Sequence, residues 1–123
     1  MISIIDYGTG NLSAISNIFK KSKISYQVTN DKEAIKNSSK FILPGVGSFD
    51  NTMQTLKESG ILDTLYEQVI IKKKPLLGIC VGMQILSEKS EEGSQHGLGW
   101  IKGRVKKFDK DKLKELNLYL PHM

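Results

Sequence analysis

Leu76-Leu77-Gly78-Ile79-Cys80-Val81-Gly82-Met83-Gln84 is the stretch on which the reading of this chain turns. From Pro75 to Ile79 the residues form a short continuous apolar run bounded by Pro and Gly. A run of that length and composition reads as a central strand buried on both faces. Gly82 to Glu88 reads as the start of a helix. The single cysteine, Cys80, therefore falls between a strand and a helix, with Gly78 and Gly82 two residues away on either side. This is the thiol counterpart of a strand–nucleophile–helix elbow, in which small flanking residues let the strand and helix close around a strained turn. In such a turn the N–H of Val81 points toward the space in front of the sulfur and can donate to an oxyanion. The competing reading is a small buried hydrophobe, the commonest role of a lone cysteine.

Working outward, short apolar runs alternate with amphipathic stretches. Ile2 to Asp6, Ile24 to Val28 and Phe41 to Leu43 read as strands, the last stopped by Pro44. Asn11 is placed to cap a helix that carries Leu12, Ile15, Ile18 and Phe19 on one face. Helices are expected over 31–36 and 49–59, and around Leu62, Leu65 and Val69. Ser90 to Gly99 reads as a polar loop and Lys102 to Phe108 as a late strand. Alternation of this kind predicts an α/β fold, a parallel sheet flanked by helices. Sites in open parallel sheets lie beyond the carboxyl ends of the strands. Three loops qualify here: those after Asp6, Leu43 and Ile79.

The 123 residues amount to one domain or part of one. No stretch approaches the ~18 continuous apolar residues of a membrane span, and the Met1–Asp6 start lacks a basic leader. No membrane partner is expected, and the chain is expected to be cytoplasmic. The net charge of +5 does not read as a nucleic-acid signal, because Arg104 is the only arginine and the lysines are scattered. Lys72-Lys73-Lys74 follows a helical pattern, where a helix C-terminus favours cations. One cysteine permits no disulfide within the chain, consistent with a reducing compartment. No metal or cofactor is expected.

Pro44-Gly45-Val46-Gly47 is the second informative segment. Its N–H groups can supply the other half of an oxyanion hole, and an ordinary strand-ending turn is the plainer alternative. A dinucleotide-phosphate loop is disfavoured: Asp50 stands where that fingerprint requires Gly, and no Gly-Lys-Ser/Thr follows.

Taken together, Asp6-Tyr7-Gly8-Thr9-Gly10-Asn11, Pro44-Gly45-Val46-Gly47-Ser48-Phe49 and the Leu76–Gln84 run resemble the class I (triad-type) glutamine amidotransferases. Within them the likeness is to the glutaminase-subunit branch that serves imidazole glycerol phosphate synthase in histidine biosynthesis. It continues through Ser90-Glu91-Glu92-Gly93 and Gly97-Leu98-Gly99 to Leu120-Pro121-His122-Met123, with Val81 where leucine is usual. The resemblance implies a flavodoxin-like class I glutamine amidotransferase fold, here incomplete, with residues 1–123 as the N-terminal part of a single domain. It implies Cys80 as nucleophile on the glutamine side-chain amide, and Gly47 and Val81 as oxyanion donors after reorientation of the Val46–Gly47 peptide. It implies Gln84 and Glu92 as contacts to bound glutamine. The residues alone leave a solvated helix position open for Gln84, and a surface acidic patch with Glu88 and Glu91 open for Glu92. The implied partner is a synthase (cyclase) barrel in a heterodimer that receives the ammonia. The family's triad His and Glu find no counterpart in residues 1–123; His96 and His122 do not match them. A paralogous role in amidating cell-surface sugars, and a non-catalytic binding module, are the alternative functions.

Overall fold

A computed structural model describes residues 1–109 and 111–112; His122 and the rest of Leu120–Met123 lie outside them. Four strands form one parallel sheet: β1 (Ile2–Ile5), β2 (Tyr26–Thr29), β3 (Lys40–Leu43) and β4 (Leu76–Gly78), in the order β2-β1-β3-β4. The order reverses direction between β1 and β3, which makes their carboxyl ends the switch point where such sheets hold their ligands.

The crossovers begin where capping residues stand. Asn11, Asp31 and Ser48 each accept an N–H from the residue three positions on, at 3.2, 3.0 and 3.1 Å, and so start α1 (Leu12–Lys21), α2 (Lys32–Lys36) and α3 (Phe49–Glu58). Gly60, with φ of +80°, follows the end of α3. The next helix, α4 (Leu62–Tyr66), widens into a π turn over Glu67–Ile71, closed by the Lys72 N–H on the Glu67 carbonyl at 2.9 Å. That turn carries the fully buried Gln68, whose Oε1 accepts from Lys74 Nζ at 2.6 Å.

Strand register sorts the core. Ser3, Gln27, Phe41 and Leu76 lie abreast on one face, with Ile5 and Leu43 two residues on. Ile5, Phe41 and Leu43 on this face pack against Ile35, Phe49, Met53, Leu56, Leu65 and Ile85. The other face carries Ile4, Val28, Ile42 and Leu77 abreast. On this face Ile4 and Ile42 are buried while Val28 and Leu77 stay exposed, and the Phe19 ring of α1 stands 5.5 Å from that of Tyr26. The apolar stripe of α1 is only half covered: no residue of α1 is buried, and Ile18 is 61% exposed.

Three sequence expectations shift. Among the described residues β4 is an edge strand, not a central one buried on both faces: it pairs only with β3, and Leu77 is exposed. The helix after Cys80 is a single turn, α5 (Val81–Gln84), not a helix to Glu88. The carbonyls that would continue it are taken by a later loop: Leu98, Ile101 and Gly99 donate to Ile85, Leu86 and Ser87 at 2.8, 2.9 and 3.0 Å. The Ser90–Gly99 loop is preceded by a short strand, β5 (Lys89–Ser90), paired in parallel with β6 (Arg104–Val105) in a separate two-stranded sheet.

Candidate active site

Cys80 has φ of +57° and ψ of −125°, a backbone conformation that L side chains rarely adopt. The surroundings enforce it. A Cβ on Gly78 would lie 2.6 Å from the Met83 Cα, and one on Gly82 would lie 2.1 Å from the Leu43 carbonyl oxygen. Gly45 meets Gly82 from the opposite side, with room for no Cβ either: it would stand 2.6 Å from the Gly82 nitrogen. Three backbones touch at glycine, and the chain between Gly78 and Gly82 can only turn sharply outward. That turn puts the Cys80 side chain at the surface, above the carboxyl end of β4. A strained, exposed residue at a strand-to-helix turn has the geometry of an elbow, and this displaces the buried-hydrophobe reading of this cysteine.

The loop after β3 lies against this turn. The Ile79 N–H donates to the Leu43 carbonyl at 3.0 Å, and the Val81 N–H to the Gly45 carbonyl at 3.1 Å. In this conformation, then, the Val81 N–H is paired rather than open to an oxyanion. Gly47, two residues beyond Gly45, has φ of +95° and open space where a Cβ would stand, so only its backbone conformation calls for glycine.

The loop after β1 holds the loop after β3 in place. The Thr9 hydroxyl donates to the Val46 carbonyl at 3.0 Å and accepts from the Val46 N–H at 3.2 Å. Thr52 Oγ1 donates to the same carbonyl at 3.3 Å. The buried Tyr7 hydroxyl donates to the Pro44 carbonyl. Burial pushes that hydroxyl well above the ordinary tyrosine range, so it remains a neutral donor. Sequence reasoning placed this loop at the site without assigning these residues. The available signal was a Tyr and a Thr set among glycines at the end of β1.

Gln84 follows Cys80 by one turn and donates its N–H to the Cys80 carbonyl at 3.2 Å. Gln84 and Glu92 line one cleft, together with Glu91, Val105, Lys106 and Lys107. The acidic run around Glu92 is not uniform. Glu88 accepts the Gly103 N–H at 3.1 Å and Glu91 accepts the Lys107 N–H at 2.9 Å, so both join the two strands of the small sheet. Among the described residues no hydrogen bond reaches the Glu92 carboxylate. His96 lines a different cleft, with Met53, Lys57, Tyr66 and Trp100.

Residues 3–117 match the family described as glutamine amidotransferase class-I. This chain belongs to the class-I glutamine amidotransferases. Its parallel sheet with flanking helices is the fold expected of that family. Imidazole glycerol phosphate synthase subunit HisH of Leptospira borgpetersenii is 51% identical over all 123 residues, which cover 60% of that relative. The protein of the same name in Leptospira interrogans is 52% identical over 116 residues, 94% of this chain and 57% of the relative. Subunit HisH 2 of Methanococcus maripaludis is 48% identical over the whole chain and 59% of its own length. The chain thus spans about 60% of the length of these curated relatives. The elbow cysteine and the glycine loop beside it follow the carboxyl ends of β4 and β3, and Gln84, one turn after Cys80, lines a cleft with Glu92.

Proposed function

We propose that these residues belong to a single glutamine amidotransferase domain, the glutaminase subunit of imidazole glycerol phosphate synthase, and that Cys80 is its nucleophile. The observation that carries the reading is the conformation of Cys80, exposed at φ of +57° between two glycines that admit no side chain. The relatives' names favour the histidine pathway over the sugar-amidating alternative.

In this reading the Cys80 sulfur adds to the side-chain carbonyl carbon of glutamine. The C–N bond then breaks, and the proton given up by the thiol leaves on ammonia. The γ-glutamyl thioester that remains is hydrolysed by water, which releases glutamate and returns a proton to the sulfur. Both proton transfers call for a positioned base. The described residues bring no histidine into the Gln84–Glu92 cleft, and we assign that base to the family's triad His, oriented by its Glu. The tetrahedral oxyanion is assigned to the N–H groups of Val81 and Gly47. The Gly45 carbonyl must first leave the Val81 N–H, and the Val46–Gly47 peptide must turn away from Thr9 and Thr52. Gln84 contacts the bound glutamine, and the Glu92 carboxylate, which no hydrogen bond reaches among the described residues, holds the amino-acid end by its charge toward the α-ammonium. Ammonia passes to a synthase (cyclase) barrel subunit bound as a heterodimer.

The test uses the full-length protein with its synthase partner. A glutamine-analogue chloroketone is expected to add one equivalent of mass at Cys80, with glutamine protecting. Cys80→Ala is expected to abolish glutamate release. Undiminished release in Cys80→Ala would overturn the assignment.

A further inference from the structure

Asp50 sits in the first turn of α3, two residues after the Ser48 cap. Its carboxylate is directed at a segment more than forty positions away in sequence. Oδ2 accepts the Ser94 N–H at 2.8 Å and the Ser94 hydroxyl at 3.0 Å, and Oδ1 accepts the Gln95 N–H at 2.9 Å. Gly93 lies so close that a Cβ there would stand 2.4 Å from Oδ1. Glu92 precedes these residues directly. On its other flank the Glu92 N–H donates to Ser90 Oγ at 3.2 Å, and Ser90 is buried. The backbone that presents Glu92 is therefore held on both sides, by Ser90 before it and by Asp50 after it.

The position of Asp50 gives this anchor its meaning. The same helix turn begins at Ser48, immediately after the Pro44–Gly47 loop that lies against Cys80. A carboxylate on α3 thus fixes the distance between the loop that flanks the nucleophile and the loop that carries Glu92. Charge-assisted hydrogen bonds to backbone N–H groups are strong enough to set such a distance. We propose that Asp50 is a positioning residue for glutamine binding, acting through the Ser94 and Gln95 N–H groups to hold Glu92 in the substrate cleft. The proposal rests on the glutaminase reading and adds to it a residue that touches neither substrate nor nucleophile.

The experiment compares Asp50→Ala and Asp50→Asn with the wild type, in the full-length protein with its synthase partner. Asp50→Ala is expected to raise the KM for glutamine about tenfold while kcat stays within about twofold, because one charged anchor is lost and the nucleophile is untouched. Asp50→Asn keeps one acceptor for the Gln95 N–H and is expected to fall between. Amide exchange of Ser94 and Gln95 should speed up in Asp50→Ala while that of Met53 and Leu56 in α3 does not, which guards against a merely misfolded variant. An unchanged KM in a folded Asp50→Ala protein overturns the proposal, as does a loss confined to kcat. A wild type that releases no glutamate overturns the glutaminase reading and the substrate role of Asp50 with it. The exchange arm in that case still reports whether the anchor exists.

Discussion

The two halves of the site are held by different means. Around Cys80 the chain is built by backbone against backbone: Gly45, Gly78 and Gly82 meet their neighbours with no room for a side chain, and the N–H groups of Ile79 and Val81 donate to the carbonyls of Leu43 and Gly45. Around Glu92 the chain is hung from side chains. Asp50, Glu88 and Glu91 each accept backbone N–H groups from a segment distant in sequence. Close-packed backbone cannot give by a few tenths of an ångström, whereas a carboxylate on a rotatable stem can. The Cys80 half should therefore be rigid and intolerant, and the Glu92 half adjustable.

The largest expected effect tests that contrast with one methyl group placed in each half. Gly82→Ala drives a Cβ into the Leu43 carbonyl, which belongs to a central strand and cannot move aside. A loss of about 3 kcal/mol is expected in urea unfolding of the full-length protein, the upper end of the overpacking range. Gly93→Ala meets the Asp50 carboxylate at a nominally similar distance. That side chain can rotate away, so about 1 kcal/mol is expected. Equal losses from the two variants would remove the distinction between the halves.

A smaller effect is expected from Thr9→Val, which deletes both bonds between the Thr9 hydroxyl and Val46 while keeping the shape. It should cost about 1 kcal/mol of stability. If the Val46–Gly47 peptide must turn for the oxyanion to be stabilised, the same change lowers the cost of turning it. Glutamate release without the synthase substrate is then expected to rise, by up to about fivefold. A fall in basal release would place Thr9 among the groups that support the reacting geometry. Comparable in size and opposite in sign, Cys80→Gly relieves the positive φ of the elbow. It is expected to raise the unfolding free energy by about 1 kcal/mol while abolishing activity.

What was legible in the sequence follows the same division. The Gly78–Gly82 elbow and the Pro44–Gly47 loop announce themselves because glycine and proline are demanded by local backbone geometry, and local demands are written locally. The caps Asn11, Asp31 and Ser48 act three residues away, and Asn11 could be named beforehand for that reason. The short α5 could not be foreseen, since the carbonyls just beyond it, of Ile85, Ser87 and Leu86, are claimed by Leu98, Gly99 and Ile101 from a loop more than ten residues on. Asp50 was visible only as a residue that spoils a phosphate-loop pattern; nothing near it in the chain points to Ser94. Glu88, Glu91 and Glu92 look alike in a polar run, and only the partners of the first two set the third apart.

The smallest expected effect is a difference in pH response between the halves. The Ser94 and Gln95 N–H groups, helped by the Ser94 hydroxyl, hold the Asp50 carboxyl below its ordinary value, against an opposing contribution from desolvation. A carboxylate with a lowered folded value contributes stability that is complete above its unfolded value, about 3.9. The contribution fades as pH falls below that point and is gone once pH has passed the folded value. From pH 7 down to about 5 the anchor should therefore be unchanged. Below the ordinary carboxylate range the Ser94 and Gln95 amides should lose exchange protection first. The elbow has no such dependence, because its ties are amide to carbonyl and its Tyr7 hydroxyl stays neutral throughout. Amide exchange followed by NMR from pH 6 to pH 3 should thus show Ser94 and Gln95 loosening while Ile79 and Val81 remain protected. Asp50→Asn should flatten the response of the first pair and leave the second as it was. Simultaneous loss at all four amides, in wild type and variant alike, would mean that acid acts on the whole fold and not on the Asp50 anchor.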